Sequence, residues 1–240
     1  MIQFHAPDIT TTLSLPESDS AHAVRVLRLT EGDEIQVIDG RGTSYLCRIT
    51  VADRKKTCVE ILSSTPMPLP WAQQIVVGVA PTKHLDRMEW MVEKLTEIGV
   101  NRIIPLLCRH SERRELKTER LEKIAVSAMK QSLKGVLPVI SPMTPLPKVI
   151  DDFASFNRYM AYCHKDLPRR LLASTYRPGK DSIILIGPEG DFDPEEIAPA
   201  LDKGWLPVSL GPCRLRTETA AIVADDTFHI LDQANSTDLC

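Results

Sequence analysis

The chain has 240 residues, a formal net charge of −3 and six cysteines. That length exceeds the ~100–200 residues usual for one domain, so one large or two smaller domains are expected. No segment approaches the ~18 consecutive apolar residues of a membrane span, and the first twenty residues carry Asp8, Glu17 and Asp19 in place of a basic and apolar leader. The protein is therefore expected in the cytoplasm.

Residues 1–70 read mainly as strands. Glu34–Ile38 and Ser44–Ile49 alternate apolar with polar, are separated by the hairpin signal Asp39-Gly40-Arg41-Gly42, and are followed by a third stretch, Thr57–Leu62. One helix is expected near Ser18–Leu27. Pro66, Pro68 and Pro70 then form a semi-rigid linker with fixed φ angles, which sets the expected domains at 1–70 and 71–240.

Past the linker, strands and helices alternate. Gln74–Val79 is a strand. Leu85–Ile98 is a helix with an apolar stripe of Met88, Met91, Val92 and Leu95, and Arg102–Leu107 is the next strand. Thr118–Ser132 is helical, with Leu121, Ile124, Ala125 and Ala128 on one face; Arg158–Cys163 and Ser182–Ile186 are further strands, and Thr219–Gln233 a last helix presenting Ile222, Val223, Phe228 and Leu231. Such alternation implies an α/β fold, a parallel sheet with helices on both sides.

Two loops about twenty residues apart are the most informative feature. Ile186–Phe192, IGPEGDF, follows a fully apolar strand and leads into a helix start at Asp193, Glu195 and Glu196; Leu210–Ala221, LGPCRLRTETAA, follows the short strand Val208–Leu210 and leads into a helix opening with Thr217 and Thr219. Both loops leave carboxyl ends of strands, where open α/β sheets place ligands. Glycine admits close approach to the main chain, which suits a flat heterocycle read by backbone groups; the phosphate-cradling G-x-G-x-x-G and G-x-x-x-x-G-K-[ST] patterns are absent.

These loops resemble the signature of the bacterial 16S ribosomal RNA (uracil-N3)-methyltransferases, the ribosomal RNA small subunit methyltransferase E family. The resemblance extends through His22–Gly42 (HAVRVLRLTEGDEIQVIDGRG), Lys83–Pro105 (KHLDRMEWMVEKLTEIGVNRIIP) and Glu119–Ser132 (ERLEKIAVSAMKQS). It implies a C-terminal α/β methyltransferase domain of the SPOUT class, whose parallel sheet is tied in a trefoil knot, a small N-terminal PUA-like β-barrel for RNA, S-adenosylmethionine as cofactor, 16S ribosomal RNA as partner, and a homodimer. The chain departs from the family in three places. Asp191 stands where a second glycine is common, Lys134 is the nearest cation where an arginine often follows the Q-S pair, and Pro212, Cys213 and Arg214 replace a partly apolar stretch. Asp tolerates left-handed backbone better than most residues, so the first loop is expected to keep its turn.

The resemblance also implies roles for individual residues. Ile186, Gly187, Pro188, Gly190, Leu210, Gly211, Leu215, Thr217 and Ala220 would hold the cofactor. Arg25, Arg28, Lys83, Arg87, Arg109, Arg113 and Lys134 would meet RNA, although the net charge does not point to binding by overall basicity and each basic cluster alone, including Lys165, Arg169 and Arg170, reads as a solvated face. Uridine N3 becomes nucleophilic only on losing its proton, so an anion-stabilising donor is needed; Arg216 is the candidate, set against a salt bridge to Glu218 or Glu189 that shapes the loop. Glu189 and Glu218 are the candidate bases or, alternatively, acceptors of backbone N–H groups at helix starts, and His164 ranks third. No two histidines stand at ligand spacing and no C-x-x-C occurs, so no metal is expected and the cysteines are expected as buried thiols. A ribose 2′-O-methyltransferase of the same class and a non-catalytic RNA-binding protein are the competing readings.

Overall fold

A computed structural model describes residues 2–164 and 168–235; Lys165 and Cys240 lie outside them. By internal contacts the chain forms two compact units, Met1–Trp71 with Val126–Leu137, and Ala72–Ala125 with Pro138–Cys240.

The first unit opens with β1 (Gln3–His5), α1 (Ile9–Thr12) and α2 (Glu17–Ala21), followed by a π-helical turn, His22–Val26; β2 (Glu34–Ile38), β3 (Thr43–Val51) and β4 (Cys58–Pro66) complete a sheet ordered β1-β2-β3-β4. The single helix expected near Ser18–Leu27 is thus broken in character at His22, and Arg28 just beyond takes a left-handed φ of 57°. Pro66 is not linker: it ends β4, paired with Thr43.

One stretch of chain meets both sheet edges. Residues 3–5 run parallel to β2, while Leu13–Leu15 lie along the free side of β4 through Val59 N–H to Leu13 O and Leu15 N–H to Thr57 O. The sheet therefore curls toward a barrel around Phe4, Ile35, Val37, Cys47, Ile49 and Val59, the inward members of alternating strands, joined by Ile9 of α1 and by Leu15. The β2–β3 hairpin is set by Asp39, whose Oδ1 accepts from the Arg41 and Thr43 N–H groups, with Gly40 and Gly42 at φ 73° and 97°. Buried Asp19 is held by His5 N–H and by Lys130 Nζ at 2.8 Å. The Gly42 N–H reaches Gly135 O, so residues 126–137 are integral to this unit.

The second unit contains β5 (Ile75–Val79), α3 (Leu85–Ile98), β6 (Arg102–Leu107), the start of α4 (Glu119–Gln131), β7 (Val139–Ile140), β8 (Thr144–Pro145), α5 (Leu146–Asp152), β9 (Asn157–Ala161), β10 (Arg170–Leu171), α6 (Leu172–Thr175), β11 (Ser182–Ile186), α7 (Pro194–Asp202), β12 (Leu206–Ser209) and α8 (Thr217–Asn235). The sheet order is β10-β12-β9-β11-β5-β6-β7, with β8 also on β6, and every pairing is parallel.

Both sheet faces are covered, as the fully apolar β5 and β11 require. On one face Val76, Ile104, Met160, Ile183 and Leu185 pack with Val149 and Ile150 of α5, Ile197 and Ala200 of α7, and Trp205. On the other, α3 buries Met88, Met91, Val92 and Leu95, and α8 packs against α3, β5, β11 and α6. The α8 core face is Ala221, Ala224, Asp225, Phe228 and His229; of the four residues expected to pack against the sheet or a second subunit, Phe228 is buried in this chain, while Ile222, Val223 and Leu231 are half-buried. No helix among the described residues is long and apolar enough to cross a membrane, and no group of three or more His, Cys, Asp or Glu among them could hold a metal ion.

Candidate functional site

Register sets the site. β9 lies between β11 and β12, which are therefore not neighbours, and Ala161 pairs with Ile186 on one side and Val208 on the other. Three loops leave three adjacent strands at one level and line a cavity of about 750 Å³.

All nine residues expected to hold the cofactor line this cavity: Ile186, Gly187, Pro188, Gly190, Leu210, Gly211, Leu215, Thr217 and Ala220. The two glycine loops are joined directly, since the buried Thr217 hydroxyl donates to Gly187 O at 3.1 Å. At Gly187 packing already disfavours a side chain: a Cβ there would meet Phe192 N at 3.1 Å and its ring at 3.2 Å. At Gly211 a Cβ would enter open space, but φ is +138°, a conformation open to glycine. Asp191 keeps the turn with φ 66°. Its Oδ2 accepts from Cys163 N–H at 2.7 Å and its Oδ1 from Phe192 N–H at 2.9 Å, which ties the β11–α7 loop to the end of β9.

The helix after this loop is capped by Asp193, which accepts from Glu195 N–H while Glu196 reaches back to Asp193 N–H. The Glu195 N–H, then Arg109, hold the Asp193 carboxyl below the usual carboxylate range. His110 Nδ1 is 3.1 Å from Asp191 O, and His164 Nε2 is 2.8 Å from Phe192 O, so each ring supports the loop as a donor to a carbonyl. Nearby Cys108 is buried, and burial pushes its thiol up to about 12. Cys47 behaves likewise, at about 11, whereas Cys163 and Cys213 are exposed on the cavity and Cys58 is half-buried, so the expectation of buried thiols fails for these.

The charged candidates separate. Arg216 lines the cavity, is exposed, and its guanidinium makes no hydrogen bond or ion pair among the described residues. Glu189 lines it too and is exposed, but Glu218 does not: it is buried at the start of α8 with Arg87 Nε 3.8 Å away. The Arg216–Glu218 bridge weighed from the sequence is therefore replaced by a pairing with α3, invisible across 131 residues. The same contact engages Arg87, one of the residues expected to meet RNA. Arg109 is engaged by Asp193 at 3.0 Å and Glu195 at 2.6 Å; Arg113 donates to Lys83 O, and Lys83 faces Glu112 at 3.7 Å. Arg25 and Arg28 are exposed in the N-terminal unit, and Lys134 is half-buried there. Tyr162 and Arg169 are among the cavity residues that sequence reasoning did not assign to the site: the Arg169 Nη1 donates to Tyr162 O at 2.5 Å and its guanidinium lies 6.0 Å from that ring's centre.

A parallel sheet whose carboxyl edge carries a loop-lined cavity, joined to a small curled sheet, is the arrangement of an RNA methyltransferase with a PUA domain. Residues 69–228 match the family model described as RNA methyltransferase domain and residues 15–62 that described as RNA methyltransferase PUA domain. Ribosomal RNA small subunit methyltransferase E of Aquifex aeolicus is 31% identical over 218 residues, covering 88% of this chain and 90% of its own. The crystal structure of a probable rRNA-methyltransferase from Porphyromonas gingivalis superposes with a TM-score of 0.94 at 45% identity, over 98% of this chain and 100% of that one. Ribosomal RNA small subunit methyltransferase E from Neisseria gonorrhoeae, bound to S-adenosyl methionine, does so with a TM-score of 0.82 at 26% identity, over 96% and 98%. The chain belongs to the ribosomal RNA small subunit methyltransferase E family.

Proposed function

We infer that this protein transfers a methyl group from S-adenosylmethionine to N3 of a uridine in 16S ribosomal RNA of the small subunit, in the cytoplasm and as a homodimer. The observation that carries the reading is the cavity built from three in-register strand ends and lined by the backbone of both glycine loops. Its volume lies within the ~300–1,000 Å³ of ordinary ligand pockets, and its walls offer main-chain groups around Gly187, Gly211 and Leu215 for an adenine and a ribose. The residues present thus fit the cofactor, which when bound supplies an activated methyl on a sulfonium.

The chain's own part is to hold, orient and polarise. The Thr217–Gly187 bond fixes the spacing of the two loops, and Asp191, His110 and His164 fix the first loop against the sheet. Such positioning supplies up to roughly 7–11 kcal/mol when it gives a near-attack geometry. Arg216, charged and without a partner among the described residues, faces the uracil and stabilises the negative charge that spreads to O2 and O4 as N3 loses its proton. Glu189 is the carboxylate at hand to receive that proton; Glu218 instead fixes Arg87 and the start of α8. Arg25, Arg28 and Lys134 of the N-terminal unit contact RNA phosphates. The exposed Trp90 on α3 and Ile230 on α8, 46% and 54% accessible on two helices that pack together, form the dimer contact.

Small ribosomal subunits from a strain lacking the enzyme, incubated with the protein and S-adenosylmethionine, should gain 3-methyluridine in their 16S RNA on nucleoside mass spectrometry. A 2′-O-methylated nucleoside, or no methylated product, overturns the reading.

A further inference from the structure

Three unit-two arginines away from the cavity pair with acids: Arg87 with Glu218, Arg109 with Asp193 and Glu195, Arg120 with Glu89. The cavity gathers three that do not. Arg169, from the β9–β10 connection, and Arg214 and Arg216, from the β12–α8 loop, all line it, and none has a carboxylate within ion-pair distance among the described residues. Two carboxylates share the lining, Glu189 and Asp191; Asp191 is occupied by two backbone N–H groups, and Arg214 touches Glu189 only through its main-chain oxygen, at 3.4 Å.

The proposed cofactor accounts for at most one of these cations, through its single carboxylate. It carries a sulfonium and an ammonium against one carboxylate, so it is cationic overall and an excess of guanidinium groups disfavours it. An anionic second ligand does account for them. Arg169 is also the best prepared of the three: half-buried, it is anchored through Nη1 to the carbonyl of buried Tyr162 and lies against that ring, which leaves the rest of its planar fork for a bidentate partner.

We propose that Arg169 and Arg214 are phosphate-binding residues for the RNA strand at the cavity mouth, gripping phosphates beside the target nucleotide. This rests on the methyltransferase reading above, and it gives the cavity two rims of different origin, one from the β9–β10 connection and one from the β12–α8 loop.

The test is binding of an unmodified 16S ribosomal RNA transcript to the full-length protein across a potassium chloride series, with calorimetric titration of S-adenosylmethionine alongside. Arg169→Ala should reduce the slope of log affinity against log salt by about 0.7–0.9, the contribution of one phosphate contact, and raise the KM for RNA several-fold. The kcat at saturating RNA and the cofactor affinity should stay near the parent values. Arg169→Lys keeps the charge and should restore the slope; Arg169→Gln, which retains a donor for the Tyr162 carbonyl, replaces the alanine variant if that one fails to fold. An unchanged slope in the neutral variants overturns the proposal, as does a loss confined to cofactor affinity. Absence of methyl transfer by the parent protein would instead sink the enzyme reading, while the slope still decides the role of Arg169.

Discussion

Replacing Thr217 by valine tests whether the two glycine loops act as one unit. The change keeps shape and one methyl but removes the hydroxyl that donates to Gly187 O at 3.1 Å across 30 residues of chain, at a site 6% exposed. A net hydrogen bond is worth about 1 kcal/mol, and a carbonyl left buried without its donor costs ~1–3. Thr217→Val should therefore lose about 1–2 kcal/mol of stability. Thr217→Ser keeps the hydroxyl and loses only a methyl, about 0.8 kcal/mol, so the pair separates the bond from the packing. Urea unfolding followed at buried Trp205, with Trp71 and Trp90 replaced by phenylalanine, reads the stability of the second unit. A cofactor that spans both loops must reunite them, so S-adenosylmethionine should bind Thr217→Val about threefold to tenfold more weakly, equivalent to roughly 0.7–1.4 kcal/mol. A stability loss within the ~0.5 kcal/mol of an ordinary surface change, with unaltered calorimetric affinity, would refute the coupling of the loops.

Arg216→Lys should bind cofactor and RNA as the parent does yet fall about 100-fold in single-turnover rate, with partial recovery at higher pH where more uridine is already ionised; full activity at neutral pH removes Arg216 from catalysis. Glu218→Gln should lower the melting temperature through the lost Arg87 pairing while single-turnover methylation stays within about threefold, whereas a loss near 100-fold would restore Glu218 as the base. Asp193 is held below its usual value of 3.8 in the folded protein, so its contribution is complete above that value and disappears as pH falls through the lower folded one. Melting curves of Asp193→Asn should accordingly lie below the parent's near neutrality and converge with them in acid; parallel curves at every pH would contradict the cap. Combined alanine replacement of Arg25, Arg28 and Lys134 should flatten the salt dependence of RNA binding by about 2–3 units with cofactor affinity intact, measured by filter retention.

Local patterns carried the second unit well. The stripe of Met88, Met91, Val92 and Leu95 fixed α3 at Leu85–Ile98, and the unbroken apolar runs fixed β5 and β11, because burial on both faces leaves no alternative for such segments. The cavity's cofactor wall was legible for the same reason, since glycine turns follow those strands directly. Pairings between distant residues were not. Nothing near Glu218 announces Arg87, and nothing near Arg109 announces Asp193, because ion pairs leave no periodic trace. β1 is three residues long, too short for alternation to show. Arg169 read as one member of a surface cluster because its anchor is a carbonyl, and a carbonyl has no sequence signature.

The return of residues 126–137 to the N-terminal unit limits how that unit can be handled as a module. A fragment ending at residue 70 would strip Asp19 of the Lys130 ammonium and Gly42 of its Gly135 acceptor, leaving a carboxylate at a site 9% exposed to find water or a proton. Transplanting the PUA-bearing unit onto another enzyme, or exchanging it between relatives, would require two cuts and a second graft. Recombination that treats residue 70 as a seam should yield chimaeras that misfold even when both parents are stable.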